Sequence, residues 1–119
     1  MGKWIEKFEV YDCENETEVY INNSNLDKIP KFLNCAELKE LSLSDNRITK
    51  LENLDALKNL ERLYLSVNKI TKLENLESLK NLKILYLYAN PLKLISNKNI
   101  YQSCAWFEEK YDKLETEDD

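Results

Sequence analysis

The sequence predicts a repeat protein of α/β class, in which short strand-bearing units stack into one array closed by a helix. Three observations carry that reading. Residues 38–59, "LKELSLSDNRITKLENLDALKN", and 60–81, "LERLYLSVNKITKLENLESLKN", agree at 15 of 22 positions. Each unit alternates apolar residues and then reaches an Asn at a fixed place: Asn46, Asn68 and Asn90. Beyond residue 95 the apolar spacing changes from that of the repeat to that of a helix.

The elements follow in order. Residues 1–15 form an N-terminal cap, with "KWIEKFEVYDC" read as a helix bearing Trp4, Ile5 and Phe8, or as one strand of a hairpin between "FEVYD" and "TEVYI". About four repeats occupy residues 16–95. The first, 16–37, is degenerate but keeps Val19, Ile21, Leu26, Ile29, Phe32 and Cys35 in the apolar columns, and the last is incomplete. Leu41 and Leu43, Leu63 and Leu65, and Leu85 and Leu87 point inward from strands at alternate positions. The Asn that follows both donates and accepts, so at a buried corner it can satisfy backbone groups left over at the strand end. Ile48, Leu51, Leu54, Leu57 and their equivalents fill the return segment. No unit buries this much alone; stacked, they share one core, and both ends need caps. At the C-terminus Ile100, Cys104, Phe107, Tyr111 and Leu114 recur at helical spacing, giving a capping helix over 96–114 before an acidic tail at 115–119.

Composition narrows the function classes. A net charge of −5 argues against direct nucleic-acid binding, whose affinity comes from Lys and Arg. The chain has no His, which removes Ser–His and Cys–His catalysis and His metal sites. Its single Gly leaves no glycine-rich phosphate loop. No enzyme, cofactor, metal or small-molecule substrate is expected. Three unrelated cysteines suit free thiols in a monomeric cytoplasmic protein, with the nucleus as second location. No window approaches the roughly 18 apolar residues of a membrane span, and the N-terminus lacks a signal-peptide core. Sequons at Asn15 and Asn22 are the one sign of a secreted chain.

The pattern Leu-x-x-Leu-x-Leu-x-x-Asn-x-Ile/Leu resembles the leucine-rich repeat family over residues 16–95. The 22-residue length with "ITKLENL" is similar to the subclass of the nuclear phosphatase-1 regulatory subunit and the leucine-rich light chain of axonemal dynein. The resemblance implies a curved solenoid, with a short parallel sheet on the concave face and turns or 3₁₀ segments on the convex face. It also implies that the second, third, fifth, seventh and eighth residues of each unit face outward from the strand. Four of the seven differences between the two clean repeats fall there: Lys39/Glu61, Glu40/Arg62, Ser42/Tyr64 and Asp45/Val67.

Read across the sheet, the outward rows grade from polar at one end to aromatic at the other. Glu18, Tyr20, Glu40, Arg62, Tyr64, Val67, Ile84, Tyr86 and Tyr88 form the expected partner-binding face, with Trp106 beside it because that residue lies off the helix stripe. Four strands about 4.8 Å apart give the face roughly 400–500 Å², short of the about 800 Å² per partner of a standard interface. The expected function is an adaptor or regulatory subunit that binds a helix or peptide of a partner protein. Two alternatives stand beside it: a ribonucleoprotein subunit that contacts RNA mainly through a partner protein, and a secreted or surface repeat protein of a microbe or virus.

Overall fold

The computed structural model describes residues 2–92, so the expected helix at 96–114, the acidic tail and Trp106 lie outside the described residues. Among the described residues seven strands follow one another: β1 (Lys3–Glu6), β2 (Val10–Asp12), β3 (Glu18–Tyr20), β4 (Lys31–Leu33), β5 (Glu40–Ser42), β6 (Arg62–Tyr64) and β7 (Ile84–Tyr86). Strands β3, β5, β6 and β7 form a parallel four-stranded sheet in that order. Its register repeats the sequence period: Val19 faces Leu41, Leu41 faces Leu63, and Leu63 faces Leu85. The return segments are turns and bends; among the described residues there is neither an α-helix nor a 3₁₀ segment. That solenoid is all-β as far as it is described.

The expected N-terminal helix is corrected. Strands β1 and β2 are an antiparallel hairpin, and β2 pairs in parallel with β4 on the return side of the first repeat. "FEVYD" does not form a hairpin with "TEVYI" either, since "TEVYI" contributes β3 to the other sheet. Trp4 and Phe8 suggested a helical face by their spacing, but here Trp4 meets both Phe8 and Tyr11 edge-on at 5.7 and 5.1 Å, and Tyr11 meets Phe32 at 6.3 Å. Phe8 sits in the turn that joins β1 to β2, while the Trp4–Tyr11 and Tyr11–Phe32 contacts are made across strands, where aromatic residues fit the pleat.

Periodicity also reaches further back than residue 16. The turn Leu60 N–H to Leu57 O (3.1 Å) recurs as Leu82 to Leu79 (3.2 Å), Leu38 to Cys35 (3.1 Å) and Glu16 to Cys13 (2.9 Å). Cys13 thus heads the column Cys35, Leu57, Leu79, and all four are buried. Residues 10–16 are the second half of a coil that has no strand in the main sheet. Burial pushes the Cys13 thiol up to about 12 and the Cys35 thiol up as well, which keeps both neutral and inert as core residues.

Asparagine holds the coils in step. Asn68 Nδ2 donates to Leu43 O and Leu65 O at 3.0 Å each, and its Oδ1 accepts from Ile48 N at 3.0 Å. Asn46 and Asn90 repeat the pattern one coil earlier and one later. On the far side of the coil Asn53 and Asn75 donate to Ile29 O and Leu51 O at 2.8 and 2.7 Å. Both take positive φ (61° and 58°), which Asn tolerates better than most residues.

Asn68→Ala leaves the buried Ile48 N–H without its acceptor and removes one of the two donors to each of Leu43 O and Leu65 O, which Asn46 and Asn90 still serve. It should therefore cost about 3 kcal/mol in urea unfolding. Asn68→Asp should lose as much, because a carboxylate cannot donate to those carbonyls.

Candidate functional site

The outward side chains of the parallel sheet form the only surface to which four strands contribute together among the described residues. Tyr20, Tyr86 and Tyr88 are 53%, 52% and 59% exposed, and Val67 is 45% exposed. Glu18 is exposed, while Glu40, Arg62, Tyr64 and Ile84 are partly buried by their neighbours. Ser42, placed in the same column as the tyrosines, is buried; its Oγ donates to Asn22 Oδ1 at 2.6 Å. At the aromatic end the Tyr64 and Tyr86 rings stack at 5.1 Å with 17° between their planes. The structure thus brings together nine of the ten expected residues; Trp106 lies outside the described residues.

Strand register explains two of the four outward differences between the clean repeats. In a parallel stack the same position of successive units lies side by side, so two identical charged repeats would set like charges against each other. Instead Lys39 pairs with Glu61 at 3.7 Å, and Lys83 meets Glu61 from the other side at 3.8 Å. Glu40 accepts from Arg62 Nε, and Arg62 also reaches Glu61 at 3.8 Å. The changed letters at these two columns therefore neutralise the face internally. Ser42/Tyr64 and Asp45/Val67 have no such account.

Glu40 is the hub of the polar half. Its carboxylate accepts from the Tyr20 hydroxyl and from Arg62. The Tyr20 hydrogen bond, then that of Arg62, lowers its pKa, and the same contact raises that of Tyr20. The Tyr64 phenol is raised first by burial and then by the nearby Glu40 charge. Both tyrosines are neutral donors at ordinary pH.

Val67 carries a backbone feature that the sequence hid. Its φ is 58°, and Asn23, Asp45 and Ala89 hold the same left-handed conformation in their repeats at 51°, 59° and 62°. Asn and Asp adopt it at low cost, whereas a β-branched residue there is strained by about 1–2 kcal/mol. Aligning the column with Asn23 and Asp45 was the one available clue.

Among the described residues no cluster of three or more His, Cys, Asp or Glu is placed to hold a metal, and no helix is long and apolar enough to cross a membrane. A shallow cleft of about 300 Å³ beside the hairpin is lined by Glu6, Glu9, Lys28, Lys31 and Glu52, and its Lys28–Glu9 pair closes at 2.9 Å.

A leucine-rich repeat family model matches residues 16–70, and a second, describing two copies of the repeat, matches 58–99. Together they span well over half of the 119 residues. The chain belongs to the leucine-rich repeat family. Domains of this family generally mediate protein–protein interaction. No curated protein matches the chain.

Two measurements follow from this geometry. Because the folded pKa of Glu40 is depressed, its pairing stabilises the fold above the ordinary carboxylate range and is lost as pH falls through the depressed value. The difference in unfolding midpoint between parent and Glu40→Gln should be positive at pH 7 and shrink on acidification. Val67→Asn relieves the left-handed strain and should stabilise the protein by about 1 kcal/mol in urea unfolding.

Proposed function

We propose that this protein is a non-enzymatic adaptor or regulatory subunit that binds a helix or peptide of a partner protein on its concave sheet. The observation that carries the reading is the run of exposed aromatic side chains at one end: Tyr86 and Tyr88 open to solvent, and Tyr64 stacked beneath Tyr86. Tyr is among the residues that dominate interface energies, because a rigid ring with a polar tip gains much area for little lost freedom. Nothing in the folding of the sheet requires this: Ser44 and Ser66 occupy the Tyr88 column in earlier repeats. Arg62 and Glu40 add a polar flank already fixed in geometry, which lowers the ordering cost of binding. The acidic chain and the internally paired cations favour a protein partner over RNA, and a cytoplasmic or nuclear site suits the neutral core thiols.

The test uses a displayed library of random peptides about 16 residues long, selected on the full chain. Enriched peptides should bind the parent and lose at least about 2 kcal/mol on a variant with Tyr64, Tyr86 and Tyr88 all changed to Ala. That variant should melt close to the parent, while Leu63→Ala, pointing inward, should lose about 2–5 kcal/mol of folding stability. Selected peptides that ignore the triple change would move the binding site off the concave face.

A further inference from the structure

In the second to fourth repeats the charge beside the sheet is almost wholly paired; Glu18, in the first, is exposed and lies beside Glu40. Lys39, Glu40, Glu61, Arg62 and Lys83 pair among themselves. Asp45 does not: its carboxylate is exposed, with no ion pair or side-chain hydrogen bond among the described residues. It stands on the rim where each strand ends, in the left-handed column that continues to Val67 one repeat on. The backbone fixes that spacing, since Asp45 N–H donates to Ser66 O at 3.0 Å and Val67 N–H to Tyr88 O at 2.8 Å. One unneutralised acid therefore adjoins an apolar step made by Val67, Tyr86 and Tyr88. Val67 holds its methyl groups there at the expense of backbone strain that an Asn would avoid.

Spacing selects the conformation of what binds. Adjacent strands lie about 4.8 Å apart, so each repeat offers its side chains at about that interval. An α-helix advances about 5.4 Å per turn, so after two repeats it is out of step by only about 1 Å. An extended chain returns a side chain to the same face every 6.6–6.8 Å or so, and after two repeats has drifted by about 4 Å. A helix lying along the stack thus sets residues i, i+3 or i+4, and i+7 over three successive repeats.

Resting on the concave-face reading above, we propose that the occupant is an amphipathic α-helix with a Lys or Arg facing Asp45. Its apolar residues, one and two turns away, cover Val67, Tyr86 and Tyr88. An acidic residue at the first place would confront Asp45 with no cation to spare, which makes the rim a selector against acidic helices.

Three fluorescein-labelled, alanine-based helical peptides about 15 residues long test this by anisotropy against the full chain. One carries Lys at i and Leu at i+3, i+4 and i+7; the second has Glu for Lys; the third has Ser for every Leu. The Lys/Leu peptide should bind the parent at least tenfold tighter than either control. Asp45→Asn, which keeps the left-handed turn, should abolish the preference for Lys over Glu, and Asp45→Lys should reverse it. Val67→Asn should weaken the Lys/Leu peptide about tenfold while raising the melting temperature, a pairing of signs that a purely structural residue would not show. Failure of the Lys/Leu peptide to bind the parent, equal binding of the Glu control, or an unchanged preference in Asp45→Asn overturns the proposal. If library peptides still depend on the tyrosines, that failure removes only the basic amphipathic helix; if they do not, the concave-face reading falls as well.

Discussion

The carboxamides of Asn46, Asn68 and Asn90 are the constraint on which the remaining structure depends. Each chain turn leaves the sheet at a buried corner, where carbonyls of two successive coils and an N–H of the return segment converge. Only a side chain that donates twice and accepts in the same plane answers all of them. Meeting that demand fixes the stacking of one coil on the next. It also shapes the surface, because the residue immediately before each Asn takes positive φ: Asp45, Val67 and Ala89. The rim that flanks the sheet is a by-product of the corner that closes the core.

Inside and outside are under different demands. Inward positions profit from sameness, since identical leucines in register give every interface the same dense packing. Outward charged positions are harmed by it, because a parallel stack sets each residue beside its own copy. The pairs Lys39–Glu61 and Glu40–Arg62 resolve this by alternating sign. Aromatic columns escape the conflict, as Tyr64 and Tyr86 gain by lying face to face. Variation between repeats is therefore not by itself a mark of recognition; what remains after the self-pairing is removed is the better pointer.

Much of this was legible because the period is short and the core residues are chemically uniform. Leu38 to Leu82 and the three Asn define inward and outward from spacing alone, and every one of those leucines is buried. The N-terminal hairpin was not legible, because Trp4, Ile5 and Phe8 fit helical spacing as well as they fit a hairpin in which Trp4 faces Tyr11 and Phe8 sits in the turn. What decides between them is the non-local pairing of β2 with Lys31–Leu33. Cys13 lies one period before Cys35, yet a small thiol in place of a Leu conceals the column. Ser42 reads as an outward residue and is buried by Asn22, a contact that no periodicity encodes. The left-handed turn at Val67 was hidden because the residue type argues against it, and only its column argues for it.

The near-identity of residues 38–59 and 60–81 has a consequence for how the chain finds its alignment. A coil displaced by one whole period would still bury the same leucines and satisfy the same Asn corners, so the interior hardly distinguishes true neighbours from false ones. Discrimination falls to parts that occur once. Ser24 stands where later coils have Asn, and the β2–β4 pairing runs at an offset of 21 residues instead of 22. The hairpin therefore does more than cover an end: it is the index mark from which the remaining coils are counted.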